Sequence, residues 1–315
     1  MANEIRYLAA SALLAALAGC GTEPPPPTPG DEAPPPPPVI EESSLATAIA
    51  GEHRSAENRA RDVYRHPQET LEFFGIRPDM TVVEIWPSAG WFTEILAPYL
   101  HDKGRYIAAH WDPATQDDYV QRNLKVYAEK LAAHPALYGK VEMAVLSPPE
   151  KLEFVPAGTA DMVVTFRNVH NWMDAGQAEA VFAAMYRALK PGGVLGVEEH
   201  RAAGDKPQDP RAESGYVRQD YVTGLAERAG FVLEATSEIN ANPRDTSDHP
   251  EGVWTLPPTL ALGDKDREKY LAVGESDRAT LRFRKPGSSA GVGEGAAPAM
   301  DDVATDGGET VAPAP

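Results

Sequence analysis

The stretch TVVEIWPSAGW, residues 81–91, decides the fold of this 315-residue chain. Its first five residues are β-branched except for one glutamate, which is typical of a strand buried on both faces. Proline, serine and glycine then interrupt the strand, and the segment 91–100 predicts the helix that follows. A buried strand that leads into a helix is the first half of a parallel βαβ unit. The sequence therefore predicts an α/β sheet that begins at residue 81.

The same alternation of short apolar runs and amphipathic stretches continues to residue 285. We predict further strands at 105–112, 141–147, 160–167, 193–199, 231–239 and 280–285, and further helices at 56–74, 117–134, 175–189 and 216–229. This order favours a doubly wound, Rossmann-like sheet, with the last strand expected at its edge. In such sheets ligands bind at the carboxyl ends of the central strands, so the residues that follow each strand are the candidate site.

The start of the chain has the features of an exported bacterial lipoprotein. An apolar run at residues 8–17 is too short to span a bilayer and ends in LAGC, residues 17–20, which fits a lipobox. We expect residues 1–19 to be a signal peptide and Cys20 to carry lipid; the alternative is an ordinary signal peptide with a chance cysteine. Gly21 after the cysteine favours the outer membrane, with the protein facing the periplasm.

Low-complexity segments flank the expected body at residues 45–286. Residues 20–44 contain two proline runs, which favour an extended tether, and the acidic, Gly- and Pro-containing residues 287–315 predict a disordered tail. The chain has 29 basic and 47 acidic residues, for a net charge of −18. This balance argues against nucleic acid as a partner, because phosphate backbones attract Lys and Arg.

Three segments resemble class I S-adenosylmethionine-dependent methyltransferases. The loop EIWPSAG, residues 84–90, occupies the place of that family's acidic-x-Gly-x-Gly-x-Gly loop. The segments LKPGG, 189–193, and EHR, 199–201, match a group of predicted, often exported members whose loop reads Glu-x-Trp-Pro-Gly-Gly-Gly-Trp. The resemblance covers residues 45–286 and implies a seven-stranded sheet with an antiparallel last strand. It also implies S-adenosylmethionine as cofactor and a small or medium-sized methyl acceptor.

The first loop departs from the family pattern where Trp86 and Ser88 replace glycines. Because glycine adopts positive φ without strain, we expect Trp86 to remove that freedom from the backbone. This disfavours a phosphate cradle but suits S-adenosylmethionine, which carries no phosphate. The faces of Trp86 and Trp91 are candidates for contact with the cationic sulfonium; the alternative is that both brace the loop as core aromatics.

The resemblance implies a set of cofactor-binding residues at the carboxyl ends of the first, second and fourth strands. They are Glu84, Trp86, Ser88, Gly90, Trp91, Asp112, Arg167 and Asn168. Asp112 would accept hydrogen bonds from the ribose hydroxyls. The alternative is that Asp112 only opens a turn before Pro113.

Polar residues are dense after the fourth strand, in TFRNVHNW at 165–172, and at the end of the fifth. His170 is the candidate general base, with His200 or Glu199 assisting. The alternatives are that His170 caps the next helix and that Glu199 pairs with Arg201 at an exposed edge. No two histidines have the spacing of a strong metal site, so no metal is expected.

Residues 240–277 are too many for an ordinary connection, and we expect them to cover the pocket as a lid anchored by residues 275–278. The function expected from the resemblance is methyl transfer from S-adenosylmethionine to a small acceptor. Two alternatives stay open: a non-catalytic ligand-binding lipoprotein on a degenerate methyltransferase scaffold, and a metal-assisted or hydrolytic enzyme that uses the same pocket.

Overall fold

The computed structural model describes residues 44–287. The predicted signal peptide, the lipidation site at Cys20, and the tether and tail except for their innermost residues lie outside this range. Within it, none of the helices combines the length and the apolar composition needed to cross a bilayer.

Seven strands form one sheet in the order β3-β2-β1-β4-β5-β7-β6. The strands are β1 (Thr81–Ile85), β2 (Arg105–His110), β3 (Glu142–Val145), β4 (Ala160–Phe166), β5 (Leu189–His200), β6 (Val232–Ser237) and β7 (Arg278–Arg284). β7 runs antiparallel to both β5 and β6. The predicted sheet with an antiparallel last strand is confirmed, but its expected place at the edge is wrong. β7 pairs on both sides, and most of its side chains are buried, which suits an interior strand.

Helices flank the sheet and connect most of its strands. They are α1 (Leu45–Ala50), α2 (Ala56–Arg59), α3 (Asp62–Arg65), α4 (Pro67–Phe74), α5 (Thr93–Leu100), α6 (Asp118–Ala133), α7 (Pro135–Tyr138), α8 (Val169–Asp174), α9 (Ala178–Ala188), α10 (Gln219–Arg228) and α11 (Arg267–Val273), with a 3-10 turn at Gly252–Thr255.

The lead-in helix predicted at 56–74 is divided into α2, α3 and α4. His66 has a left-handed conformation with φ of 38° and is followed by Pro67, the first residue of α4. A proline disfavours helical geometry in the preceding residue and cannot donate the helical hydrogen bond, so the chain turns at this point. The turn places Arg61 and Arg65, which lie just before it, on the wall of the candidate site described below.

Two apolar cores cover the two faces of the sheet. One contains Trp172 and Phe182, and the other contains Phe74, Phe92 and Ile95. Burial of each such side chain contributes roughly 1.5–3 kcal/mol. With both faces covered, the carboxyl ends of β1, β2, β4 and β5 meet at one edge of the sheet, where the sequence analysis places the site.

Candidate active site

A cavity of about 770 Å³ lies at the carboxyl ends of the parallel strands, a volume suited to a small-molecule ligand. Eight of the predicted site residues line it: Glu84, Trp86, Ser88, Trp91, Arg167, Asn168, His170 and His200. Gly90, Asp112 and Glu199 do not. The structure therefore brings most of the predicted residues to one place.

The loop after β1 has positive φ at Trp86 (48°), Ser88 (54°) and Gly90 (77°). The expectation that Trp86 would lose this backbone freedom is wrong. Its ring nitrogen donates a hydrogen bond to the Leu146 carbonyl at 2.9 Å, and His110 Nε2 lies 2.9 Å from the Ser88 carbonyl. Such backbone conformations cost about 1–3 kcal/mol each in residues with a side chain, and they persist because surrounding contacts hold them.

His110 fixes this loop to the end of β2 as a neutral ring. Burial lowers the pKa of His110 to about 4, against the weaker opposing effect of its hydrogen bond to Ser88. Its Nδ1 accepts from the Trp111 backbone N–H at 2.9 Å, so Nε2 carries the proton that is donated to the Ser88 carbonyl.

Glu84 is buried on the cavity wall and is 3% exposed. Tyr106 donates its hydroxyl to Glu84 Oε2 at 2.5 Å, and Thr93 lies at 3.5 Å. Burial raises the pKa of Glu84 to about 7, although the Tyr106 hydrogen bond and the charge of Arg167 oppose the rise. Glu84 is therefore poised to change its charge near neutral pH.

The two tryptophans of the first loop have different surroundings. Trp86 packs against Trp111 and Trp172, with ring centroids 5.5 and 5.8 Å away. Trp91 has the guanidinium carbons of Arg54 and Arg65 within 5.0 and 4.7 Å of its ring centroid. Trp91 is thus already engaged with two cations of the protein, whereas Trp86 belongs to an aromatic wall of the cavity.

Asp112 and Asp117 lie between β2 and α6, and only Asp117 lines the cavity. Asp112 pairs with Lys151 and accepts from the Ala114 backbone N–H at 3.0 Å, which closes a turn. Asp117 caps α6 by accepting from the Val120 backbone N–H at 2.8 Å through Oδ1, and it lies on the cavity wall. Asp117 is not among the site residues predicted from the sequence, although its position just before a helix is typical of a cap.

His170 and Glu199 form the most connected pair of the site. His170 Nδ1 lies 2.9 Å from Glu199 Oε1, and that carboxylate also accepts from the backbone N–H groups of Val169 (2.6 Å) and His200 (2.9 Å). A carboxylate only accepts, so Nδ1 carries the proton and Nε2 has the free lone pair in the neutral ring. No protein hydrogen bond to Nε2 is present within residues 44–287. Glu199 thus pairs with His170, while Arg201 pairs with Asp277 and Glu238.

His200 lies beside this pair, with its ring centroid 5.4 Å from that of His170. Its Nδ1 is 2.6 Å from the Ser276 hydroxyl. Burial, followed by the charges of His170 and Arg167, lowers the pKa of His200 well below its usual value. His200 is therefore neutral at pH 7.

Two residues after β4 connect the strands beneath the cavity. Asn168 donates its amide to the Ile85 carbonyl at 3.0 Å and to Thr165 Oγ1 at 3.2 Å, which joins β4 to the first loop. Arg167 has a positive φ of 60° and donates to Glu198 Oε1 at 2.6 Å. Both residues also line the cavity, so they can contact a ligand as well as hold the strands.

Residues 240–277 supply one wall of the cavity through Val253, Trp254, Pro257, Pro258, Thr259, Glu275 and Ser276. The ring of Trp254 lies 6.0 Å from that of His170. Asp245, fully buried, holds this segment by accepting from the Tyr216 hydroxyl, His249 Nε2 and the Asp277 backbone N–H, each within 3.0 Å. One buried carboxylate thus anchors the segment to the residue that precedes β7.

Glu275 anchors the other end of the same segment. It accepts from Arg61 Nε at 2.6 Å, Arg65 Nε at 3.2 Å and Arg278 Nη1 at 3.1 Å. Burial alone would raise the pKa of Glu275, but Arg65, Arg278 and Arg61 lower it to about 2. Glu275 is therefore ionised at neutral pH.

Several wall residues were not predicted from the sequence. They include Arg61, Arg65, Trp111, Asp117 and Tyr119. The i, i+4 spacing of Arg61 and Arg65 predicts that they lie on the same face of a helix. It does not predict that this face meets the cavity, because the same spacing is typical of an exposed helix.

His170, Glu199 and His200 can each offer one ligand atom within 4.8 Å of the others, the one such grouping among residues 44–287. Their separation in the sequence gave no indication of it. Both Glu199 oxygens already accept hydrogen bonds from the protein. The absence of a metal stays a prediction.

Comparisons with known proteins bear on the fold. No family model matches the sequence, and no curated protein matches it. Among solved structures, the [4+2]-cyclase SpnF has a TM-score of 0.51 at 17% identity, over 78% of this chain and 93% of that chain. Phosphoethanolamine N-methyltransferase 2 from Haemonchus contortus, solved with S-adenosyl-L-methionine, has a TM-score of 0.50 at 16% identity, over 77% and 56%.

The chain has the fold of S-adenosylmethionine-dependent methyltransferases. A methyltransferase from Aquifex aeolicus also matches, with a TM-score of 0.48 at 18% identity over 72% of this chain and 93% of that chain. At these identities the likeness shows the fold alone, and a protein described as a cyclase shares it. The match to the exported group with its Glu-x-Trp-Pro loop stays a prediction.

Proposed function

We propose that the chain is an S-adenosylmethionine-dependent methyltransferase that acts on a small or medium-sized acceptor. The observation that carries the proposal is the His170–Glu199 pair, in which His170 lines a cavity at the carboxyl ends of β1, β2, β4 and β5 and Glu199 holds its ring from behind. In open α/β sheets this edge is where ligands bind. A nitrogen base with a fixed ring orientation is the group that a weak nucleophile needs there.

The chemical groups on the cavity walls match those of S-adenosylmethionine. The rings of Trp111 and Tyr119 lie near Asp117 on the β2 side, which offers apolar surface for a base and a carboxylate for hydroxyl groups. Glu84 and two of the left-handed loop residues, Trp86 and Ser88, line the β1 side. When bound, S-adenosylmethionine supplies an activated methyl group on a sulfonium. We propose that Trp86, Ser88, Asn168 and Arg167 complete its contacts.

The residues on the β5 side would manage the acceptor and its proton. Glu199 holds the His170 Nδ1 proton, so His170 Nε2 is directed to accept a proton from the acceptor. His200 is neutral and offers a further polar contact beside it. The segment 240–277, with Trp254 near His170, would exclude water from the reacting groups. Alignment of the acceptor with the methyl group is then the main contribution of the fold.

Asp112 and Asp117 provide a test of the proposed cofactor contacts. If Asp117 binds the ribose hydroxyls, Asp117→Ala weakens S-adenosylhomocysteine binding by about tenfold or more, because two charge-assisted hydrogen bonds are lost. Asp112→Ala is the matched control, because Asp112 follows the same strand but lies outside the cavity wall. Isothermal titration calorimetry measures both. If Asp112→Ala loses much of its affinity for S-adenosylhomocysteine and Asp117→Ala loses none, then Asp112 and not Asp117 binds the ribose.

A further inference from the structure

One end of the cavity is lined by Arg61, Arg65 and Arg167, and we call these three residues the arginine end. Arg61 immediately precedes α3, Arg65 is the last residue of that helix, and Arg167 follows β4. Arg61 and Arg65 both donate to Glu275, which also accepts from Arg278. A single carboxylate thus serves three guanidinium groups.

Positive charge exceeds negative charge at this end. The other carboxylate is Glu198, fully buried, which accepts from Arg167 at 2.6 Å and lies 3.4 Å from Arg278 Nε. Four guanidinium groups therefore share two carboxylates. Glu84 lines the same cavity, but burial raises its pKa to about 7, so it is only partly ionised at neutral pH. Burial, followed by the charge of Arg167, lowers the pKa of Arg65 well below its usual value, but a guanidinium group keeps its proton at neutral pH, so the excess charge persists.

Donors at the arginine end are left without acceptors. The Arg65 side chain is 7% exposed; its Nε donates to Glu275, whereas its two Nη groups donate to no residue within 44–287. Arg61 Nη2 is buried and also has no hydrogen-bond partner. A buried guanidinium donor without an acceptor, such as Arg61 Nη2, is costly, and a ligand that brings negative oxygens would satisfy it together with the Arg65 Nη groups.

We propose that the arginine end is a carboxylate-binding subsite, in which Arg65 Nη groups and Arg61 Nη2 bind a carboxylate of a small molecule. Two nearby guanidinium groups match a carboxylate because each presents N–H donors in a fixed plane. The packing of the Arg65 guanidinium against Trp91, at 4.7 Å, holds that plane in place. Glu275 orients both arginines but balances only part of their charge.

The carboxylate belongs to one of two molecules, the cofactor or the acceptor, and the excess positive charge of the arginine end attracts either. If the proposed methyltransferase function is correct, the group belongs either to the amino-acid end of the cofactor or to the acceptor. Three probes separate the sources: S-adenosylhomocysteine; 5′-methylthioadenosine, which keeps the nucleoside and sulfur but lacks the amino-acid end; and succinate.

The experiment is isothermal titration of the full chain and of Arg65→Met with each probe. A loss of at least about tenfold for S-adenosylhomocysteine, with 5′-methylthioadenosine unchanged, assigns the subsite to the cofactor. A similar loss for succinate, titrated with S-adenosylhomocysteine already bound, assigns it to the acceptor. Equal binding of every probe to Arg65→Met and to the wild type overturns the proposal.

Two further variants keep the test decisive. Arg77→Met removes an exposed arginine that pairs with Asp79 and does not line the cavity, and it should bind every probe as the wild type does. Arg65→Lys keeps the charge beside Glu275 but loses the planar fork; it carries the comparison if Arg65→Met fails to fold, as judged by its melting transition. Succinate binding without S-adenosylhomocysteine binding would reject the methyltransferase function and support the subsite. S-adenosylhomocysteine binding that no variant alters would support the methyltransferase function and reject the subsite.

Discussion

Glu84 and His170 both line the cavity, and neighbouring residues determine the chemistry of each. The sequence shows that a glutamate ends β1 and that a histidine follows β4, because strand ends can be read from apolar runs. It does not show that Glu84 meets the Tyr106 hydroxyl or that Glu199 meets His170, since these contacts join different strands. Trp86 illustrates the same limit: its residue type disfavours positive φ, yet hydrogen bonds to Ala109 of β2 and to Leu146, which follows β3, hold it there.

Glu84→Gln should change how stability depends on pH. An ordinary glutamate ionises near pH 4.5, whereas burial raises the pKa of Glu84 to about 7. Between these values the folded state keeps a proton that the unfolded state has released, so ionisation of Glu84 makes the wild type less stable as pH rises. Glu84→Gln lacks this loss and should be more stable than the wild type at pH 8, by up to about 3 kcal/mol.

Denaturant unfolding at pH 5 and at pH 8 measures the effect. The difference in unfolding free energy between Glu84→Gln and the wild type should grow over this interval. Glu150→Gln is a matched control, because Glu150 is exposed. A difference for Glu84→Gln that stays constant with pH would contradict the raised pKa.

His170→Ala should abolish proton acceptance without loss of the cofactor site. We expect methyl transfer to fall by about a hundredfold or more, with S-adenosylhomocysteine binding unchanged. Glu199→Gln should also slow transfer, because it weakens the hold on the ring of His170. Transfer of labelled methyl groups to a small-molecule extract provides the assay, with exposed His134→Ala as control. Equal transfer by His170→Ala and wild type would remove His170 as the base.

At the scale of elements, hydrophobic periodicity predicts the strands well. It does not predict where a helix is interrupted, which strands are neighbours, or which buried side chain anchors a long segment. The turn at His66–Pro67 divides a stretch whose amphipathic pattern reads as one helix. β7 has the alternation of an edge strand but lies between β5 and β6, because the choice of neighbours depends on tertiary packing. The segment 240–277 was recognised by its length, while its anchor at Asp245 depends on partners more than 25 residues away.

Asp245→Ala should loosen the segment that covers the cavity. The change leaves the Tyr216 hydroxyl and the Asp277 backbone N–H without their buried acceptor, which costs about 2–4 kcal/mol of unfolding free energy. Amide hydrogen exchange should accelerate across 240–277 and much less in β1 and β4. Asp264→Ala, at an exposed position of the same segment, is the control. Unaltered exchange in Asp245→Ala would show that other contacts hold the segment.

At the scale of the whole molecule, the fold of residues 44–287 is described by the structure, whereas the membrane anchor at Cys20 is proposed from the sequence. Seven strands, two apolar cores and a cavity at the carboxyl edge follow from periodic burial, which the sequence encodes directly. The arginine end could not be predicted, because only the fold brings Arg61 and Arg65 to Arg167. We propose from the sequence that Cys20 anchors the protein to a membrane, and this proposal is independent of the fold.

Cys20→Ala tests the proposed anchor. Lipidated wild-type protein should partition into the membrane fraction and be released by detergent, because several acyl chains on one residue give stable binding. The variant should appear in the soluble fraction. Identical partitioning of the two proteins would contradict lipidation at Cys20.

We propose above all that the cavity at the carboxyl edge of the sheet holds S-adenosylmethionine. Isothermal titration of the full-length chain with S-adenosylmethionine and S-adenosylhomocysteine tests this proposal. We expect saturable binding of one molecule per chain, and we expect Asp117→Ala to weaken it. No heat of binding with either compound at millimolar concentration would contradict it.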